Sequence, residues 1–470
     1  MDDYNLILNV DSYKSTQSIQ YEDNIVSSFH YMESRGGLYD NIMCCFVSYL
    51  IKKYLSQKIT KELVLEAKEE FDLQGITFPL NGWMQVVEKY NGVLPIVIRA
   101  PKEGTIIPYK EVCLTIQGFG IDTFWIASWI ETMVLRLWYP MTVATRSFRI
   151  KQHFKKYHEL TSDSDISTID YKLHDFGARA STSYESSLIA GSAHLFVFKG
   201  TDTVAANRLL RKFYNATGFI SASAAASEHS TITSWGRTRE LKAFDNLVET
   251  FGNPNSEYKT DFFSCVSDSY DIYNAIENYW GKVLKDKIKE YNIKLVARPD
   301  SGDPVIVPNW CLESLWGSFG GIFNTKGFKV IDGASVLQGD GLDEDKIVEN
   351  LEMMVGNKQS IDNIVFGMGG ELHQKLNRDT NKFALKCSAV LRKGSTTWDD
   401  VYKDPIDDKG KTSKKGRLDL IYKDGKYQTV NLYGDDQEHK DTCMITYYDY
   451  GVVDTNQSLS EIRKFVDEQL

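Results

Sequence analysis

From about residue 171 onward the chain repeats one pattern: a short apolar run, a turn of polar residues or glycine, then a stretch with helical spacing. The runs include Leu173-His174-Asp175-Phe176-Gly177, Leu195-Phe196-Val197-Phe198, Phe262-Phe263-Ser264-Cys265-Val266, Ile293-Lys294-Leu295-Val296-Ala297, Val336-Leu337 and Ile364-Val365-Phe366. Strands that alternate with helices predict parallel βα units, and six in a row predict a barrel or a doubly wound sheet. In both architectures ligands gather at the C-terminal ends of the strands. Asp175, Asp202, Asp268, Arg298, Asp300 and Asp340 fall at such ends, which makes them candidates for one shared pocket.

The flanking segments carry other patterns. Residues 61–71 have helical periodicity and residues 94–98 read as a strand, so the first 150 residues are mixed. Residues 123–143 form the longest apolar stretch; Glu131 and Arg136 interrupt it, which predicts a buried or amphipathic helix rather than a membrane span. After residue 379, residues 418–421 and 428–432 predict a hairpin, and residues 459–470 a closing helix that starts near Ser460-Glu461.

Composition narrows the class. With 470 residues, 42% hydrophobic and 25% charged, the chain has the make-up of a multidomain globular protein. Its net charge of −10 argues against a nucleic-acid or acidic-membrane binder, so an anionic ligand needs local clusters of cations and backbone N–H groups. Seven scattered cysteines without a C-x-x-C pair argue for reduced thiols in the cytoplasm, against a structural zinc site and against a disulfide framework. The first residues are acidic, unlike a signal peptide.

The candidate chemistry sits in the turns. Phe366-Gly367-Met368-Gly369-Gly370 leads from a strand into a helix-like segment, where glycines let backbone N–H groups approach a phosphate and the helix start favours anions; a plain tight turn is the equal alternative. Arg298-Pro299-Asp300-Ser301-Gly302 sets a cation and a carboxylate at a strand end, fit for a pyrophosphate oxygen and for ribose hydroxyls or Mg²⁺, or simply for a structural ion pair. Gln338-Gly339-Asp340-Gly341 offers a second unhindered carboxylate, or a plain turn. Glu228-His229-Ser230-Thr231 places a histidine at a helix start, as nucleophile, phosphate ligand, acid–base group or hydrogen-bonded structural residue. Five cations lie within residues 409–417, a candidate polyphosphate flap or a solvated loop. Neither a G-x-x-x-x-G-K-[ST] loop nor a G-x-G-x-x-G fingerprint occurs.

Taken together, Asp11-Ser-Tyr13-Lys14, Lys172-Leu-His-Asp-Phe-Gly177, Phe198-Lys-Gly-Thr-Asp-Thr203, Glu228-His-Ser-Thr-Ile-Thr233, the segment 266–274, Arg298-Pro-Asp-Ser-Gly302 and Ser413-Lys-Lys-Gly-Arg-Leu418 closely resemble the nicotinamide phosphoribosyltransferase family, in order over nearly the whole chain. The resemblance implies an α/β protein: an irregular (β/α) barrel-like central domain, and a mixed α+β domain built from the N- and C-terminal segments. The boundaries expected are 1–150, 151–380 and 381–470, the last packing with the first and carrying the basic loop.

The family joins nicotinamide to phosphoribosyl pyrophosphate, giving nicotinamide mononucleotide and pyrophosphate, as a homodimer with active sites at the interface. Carried over by motif, Phe176 and Tyr13 of the partner subunit would sandwich the nicotinamide ring, and Asp202 would accept a hydrogen bond from its carboxamide. Arg179 and Arg298 would face pyrophosphate; Asp300, Gly339 and Asp340 would hold the ribose hydroxyls, with Asp300 and Asp340 carrying Mg²⁺. Gly369, Gly370, Arg378 and Lys386 would bind the 5′-phosphate, and Arg35, Lys403 and Lys411 would neutralise pyrophosphate or ATP phosphates. His229 resembles the family's phosphorylated histidine, through which ATP as co-substrate is coupled to synthesis; Asp268 joins it, Asp300 and Arg298 as the catalytic group, while Ser223 and Ser264 would line the way to the base. Four positions depart from the family's pattern: Met368 and Glu371 in the glycine loop, Ala384 before Lys386, and Ala178 after Phe176.

Overall fold

A computed structural model describes residues 4–407, 412–433 and 438–470. They form two compact units, one of Met1–Thr145, Leu210–Ala216 and Leu376–Gln469, the other of Arg146–Leu209 and Thr217–Lys375.

The second unit holds a parallel sheet whose strands run, side by side, Gly200–Thr201, Leu173–Asp175, Ile364–Met368, Ala334–Gln338, Lys294–Arg298, Phe262–Val266 and Ala225–Ala226. The two outer strands are joined by the segment that leads into Ala225–Ala226. The Ala222 N–H donates to the Lys199 carbonyl at 2.7 Å, and the Thr201 N–H donates to the Ala222 carbonyl at 3.0 Å. The sheet therefore closes on itself as an irregular barrel, which decides between the two architectures the pattern allowed. The strands read as unbroken apolar runs because both faces are covered. Phe263, Cys265, Leu295, Ala297, Val336 and Phe366 are all fully buried. Helices Tyr184–His194, Glu240–Gly252, Ile306–Phe319 and Glu344–Gly356 fall between strands in chain order. The stacked pair Phe154 and Phe366, 5.7 Å between centroids, marks the apolar packing beneath them; burying one such ring contributes about 1.5–3 kcal/mol.

One strand expectation fails. Leu195-Phe196-Val197-Phe198 is buried but lies in turns after the helix Tyr184–His194, and the true strand is Gly200–Thr201. An apolar run of four reads the same whether it plugs the end of a helix or crosses a sheet.

The first unit is built on a six-stranded antiparallel sheet: Trp398–Asp400, Phe383–Arg392, Ile25–Ser34, Val112–Phe119, Ile96–Pro101 and Met444–Asp449. Its longest pairing, Ile25–Ser34 with Phe383–Arg392, binds the two ends of the chain into one sheet. The hairpin appears as Arg417–Lys423 and Lys426–Leu432, and the closing helix as Leu459–Glu468, where Ser458 and Glu461 form a capping box. The apolar stretch 123–143 breaks into Ile126–Trp129, Glu131–Leu135 and the start of Trp138–Thr161. Among the described residues no helix is long and apolar enough to cross a membrane.

Candidate active site

Phe176 follows the strand Leu173–Asp175 directly, and its N–H donates to the Met368 carbonyl of the neighbouring strand at 2.9 Å. Its ring lies against two glycines. A Cβ built on Gly367 would stand 2.0 Å from the Phe176 ring, and one on Gly339 would stand 3.4 Å away. The Arg298 guanidinium is 6.0 Å from the ring centre. Asp175 pairs with Thr201 across the sheet, so Phe176 and Asp202 end adjacent strands side by side. The exposed Asp202 carboxylate accepts the Ser223 hydroxyl at 2.6 Å. A flat aromatic face beside a carboxylate suits a planar ring that carries an N–H donor.

Further round the same rim stands a chain of charged groups. His229 opens the helix His229–Thr233, and its Nε2 lies 3.1 Å from Asp268 Oδ1. Its Nδ1 is 4.0 Å from Asp300 Oδ2. Asp300 Oδ1 in turn accepts from Arg298 Nε and Nη2, at 3.0 and 2.6 Å. The Ser301 hydroxyl donates to the second Asp268 oxygen. The tautomer of His229 that donates from Nε2 to Asp268 leaves a lone pair on Nδ1. Asp340 is exposed at the end of the next strand, Gly369 and Gly370 follow Met368, and Arg179 is exposed on the turn Ala178–Ala180. Ser264 is buried in mid-strand, opposite Ala226 and Val296.

The helix after the glycine loop, Gly370–His373, is a single turn. A macrodipole needs aligned peptides, so the anion preference expected at this helix start rests on the loop's N–H groups alone. Asp175 also differs from expectation. It is fully buried beneath the rim rather than lining the pocket, because its carboxylate is engaged by Gly177, Thr201 and His373.

The remaining predicted residues belong to the first unit. Tyr13 is 59% exposed on the 3-10 turn Ser12–Ile19. Lys386 is on the strand Phe383–Arg392, opposite Tyr31. Partial desolvation, then the neighbouring cations Arg35, Lys14 and Arg378, hold the Lys386 ammonium below its ordinary value, while Glu131 works against them. This is a basic cluster on an acidic chain. Glu33, buried in the sheet, accepts from Arg35 Nε at 2.9 Å and from Lys414 Nζ at 2.5 Å. Lys403 is exposed and tied through its backbone to Ser413. Lys411 lies outside the described residues.

A model of the nicotinate phosphoribosyltransferase (NAPRTase) family matches residues 171–449, and a model of the nicotinamide phosphoribosyltransferase N-terminal domain matches residues 5–98. A nicotinamide phosphoribosyltransferase of Xanthomonas campestris pv. campestris is 41% identical over 470 residues, covering 98% of each chain. That of Mycoplasma genitalium is 30% identical over 87% of this chain and 94% of its own. The chain belongs to the nicotinamide phosphoribosyltransferase family. Its fold is also that of the crystal structure of nicotinate-nucleotide pyrophosphorylase from Pyrococcus furiosus, with a TM-score of 0.61 at 16% identity over 100% of this chain and 96% of the other.

Within that family frame the glycine-loop departure has a visible structural role. Glu371 pairs with the buried Arg146, Nη1 to Oε1 at 3.4 Å, and with Lys375 at 3.0 Å. It braces the loop from behind, where a glycine could not. Three further residues escaped the sequence reading: Lys14 and Lys414, which extend the basic cluster, and His373, which pairs with Asp175. Lys14 and Lys414 lie inside motifs that carried the resemblance, whereas nothing in the pattern around His373 marks it.

Among the described residues no group of three or more His, Cys, Asp or Glu side chains could hold a metal ion. Asp300 and Asp340 extend from the ends of paired strands, and two carboxylates suffice for Mg²⁺, which takes the rest of its oxygen shell from water and substrate phosphates. The donor set fits a magnesium ion that arrives with a phosphorylated substrate.

Proposed function

We propose that this protein transfers the 5-phosphoribosyl group of phosphoribosyl pyrophosphate to nicotinamide, releasing nicotinamide mononucleotide and pyrophosphate. The reading rests above all on one observation: the Phe176 ring, seated on Gly367 and Gly339 and 6.0 Å from the Arg298 guanidinium, follows the strand that pairs with the one leading to Asp202.

The pyridine nitrogen already carries a lone pair, so no base is needed to make the nucleophile. The protein has to orient the ring, accommodate an oxocarbenium-like carbon and hold the departing pyrophosphate. Phe176 stacks on the nicotinamide ring, with Tyr13 of the partner subunit as the opposite wall of a homodimeric site. Asp202 accepts from the carboxamide NH₂ and repels the carboxylate of nicotinate. Asp300 and Asp340 take the ribose hydroxyls, with Gly339 leaving room for them. Arg298 releases part of its hold on Asp300 to meet pyrophosphate, joined by Arg179. The N–H groups of Gly369 and Gly370, with Arg378 and Lys386, take the 5′-phosphate, and Arg35, Lys403 and Lys411 the pyrophosphate or ATP phosphates. Mg²⁺ held by Asp300 and Asp340 would offset the charge of the leaving pyrophosphate.

His229 accepts the γ-phosphoryl group of ATP on Nδ1. The Nδ1–P bond forms as the bond to the β-phosphate oxygen breaks, and ADP leaves. Asp268 fixes the tautomer that makes Nδ1 the nucleophile. Equal concentrations of nicotinamide and nicotinate, with phosphoribosyl pyrophosphate and Mg²⁺, test the substrate assignment: nicotinamide mononucleotide should dominate, and a preference for nicotinate overturns it. His229→Ala tests the coupling. Turnover should persist without its stimulation by ATP, whereas unchanged stimulation refutes the phosphohistidine.

A further inference from the structure

The base site and the glycine loop come from different βα units, yet one buried cluster ties them together. Asp175 ends its strand fully buried. Its Oδ1 accepts the Gly177 N–H at 2.7 Å, its Oδ2 accepts the Thr201 hydroxyl at 3.0 Å, and its backbone carbonyl accepts the Asp202 N–H at 2.9 Å. His373, equally buried, closes the one-turn helix behind the glycine loop. Its Nε2 is 2.8 Å from Asp175 Oδ1, and its Nδ1 is 2.7 Å from the Ser181 hydroxyl on the far side of the Phe176 turn. The backbone of Gly177 lies flat on the imidazole: an added Cβ would be 2.4 Å from Cγ and Cδ2.

The turn of Phe176, the strand end of Asp202 and the glycine loop therefore all touch this pair. The turn bearing Phe176 is held through Gly177 and Ser181, the strand end bearing Asp202 through Thr201 and the Asp202 amide, and the loop of Gly369 and Gly370 through His373. Burying ionisable partners is a poor source of stability, since an apolar side chain of similar size often does as well. What such a pair adds is a fixed geometry. Although burial pushes it upward, the hydrogen bond and charge of His373 hold the Asp175 carboxyl well below its ordinary value, so it stays an acceptor for all three groups.

We propose that Asp175 and His373 are a positioning pair that sets the nicotinamide-stacking turn and the phosphate loop as one body. The proposal rests on the nicotinamide reading for the role of Phe176 and Asp202, but not for the mechanical link itself. In His373→Leu, KM should rise about tenfold or more for the pyridine base and for phosphoribosyl pyrophosphate together, and Tm should fall because Asp175 is left a buried carboxylate without its partner. His373→Gln, which restores a donor toward Asp175, should recover most of the loss in both. Unchanged KM values, or an activity loss that merely follows the folded fraction in both variants, overturn the proposal.

A second measurement does not depend on which base is used. Hydrogen exchange in His373→Gln and His373→Leu should show faster exchange at the Gly177 and Asp202 amides, larger in the leucine variant, while residues 295–297 stay protected. Equal protection of those two amides in wild type and both variants refutes the link, even where the substrate assignment itself fails. If the leucine variant does not fold, exchange in the glutamine variant decides: faster exchange at the Gly177 and Asp202 amides supports the pair, and wild-type protection of both refutes it.

Discussion

Replacing Gly367 by alanine tests the geometry of the base site with one methyl group. The new Cβ would fall 2.0 Å from Phe176 Cε2 and 2.4 Å from Cδ2. Carbon atoms rest about 3.5–4.0 Å apart, so the ring has to retreat by roughly 1.5–2 Å. It cannot retreat with its backbone, because the Phe176 N–H is bonded to the Met368 carbonyl beside Gly367 itself. A displacement of that size at a substrate-positioning group costs on the order of 10²-fold in rate, and relieving it by shifting the backbone costs about 1–3 kcal/mol of stability. Gly317→Ala, in the helix Ile306–Phe319 away from the site, is the control. Its Cβ would meet nothing within 4 Å, and neither glycine has a backbone that alanine cannot adopt. The assay is kcat/KM for nicotinamide alongside Tm for both variants. Gly367→Ala should lose about 10²-fold while Gly317→Ala stays within a few-fold of wild type. Equal behaviour of the two variants, or a Gly367→Ala enzyme with wild-type kcat/KM, would refute the claim that Phe176 in this position is the base platform.

Other consequences can be measured separately. Two like charges about 4 Å apart repel by about 1 kcal/mol in water and about 4 kcal/mol at a protein surface, so Asp202→Asn should narrow the preference for nicotinamide over nicotinate by at least ~5-fold; an unchanged ratio in a two-base competition contradicts the role given to Asp202. Removing Lys386 from the basic cluster as Lys386→Ala should raise KM for phosphoribosyl pyrophosphate by about 10- to 100-fold, the worth of a charge-assisted hydrogen bond of ~1.5–3 kcal/mol, and leave KM for nicotinamide nearly unchanged; steady-state kinetics with each substrate varied in turn decides it. Burial raises Glu103 from 4.5 to about 7, although the N–H groups of Ser48 and Phe46 pull it down. A carboxyl raised in the folded state contributes stability that is full below pH about 4.5 and lost as pH climbs to about 7, some 3 kcal/mol by proton linkage. Urea unfolding of Glu103→Gln should lack that decline, and equal pH slopes in variant and wild type would contradict it.

The barrel was legible because its strands are buried on both faces. Runs such as Phe262–Val266 and Lys294–Arg298 are apolar throughout and stop at charged turns. The strand Gly200–Thr201 was misplaced by a few residues because a two-residue strand has no period, and the stronger apolar signal came from the turn before it. Barrel closure was not legible at all: it depends on Ala222 bonding Lys199 and Thr201, and a run of serines and alanines carries no mark of pairing. At the site, residues in turn motifs could be named from sequence. The supports could not be named, since Asp175 and His373 lie 198 residues apart and meet only through the sheet order. Gly367 was visible as part of a glycine-rich loop, but its reason is the ring of Phe176 rather than a phosphate.

The central claim is tested most directly by incubating the protein with nicotinamide, phosphoribosyl pyrophosphate and Mg²⁺, with and without ATP, and following both products by chromatography. The account predicts nicotinamide mononucleotide and pyrophosphate in equal amounts, formed faster with ATP. No nicotinamide mononucleotide under either condition, from protein shown to be folded, would contradict it.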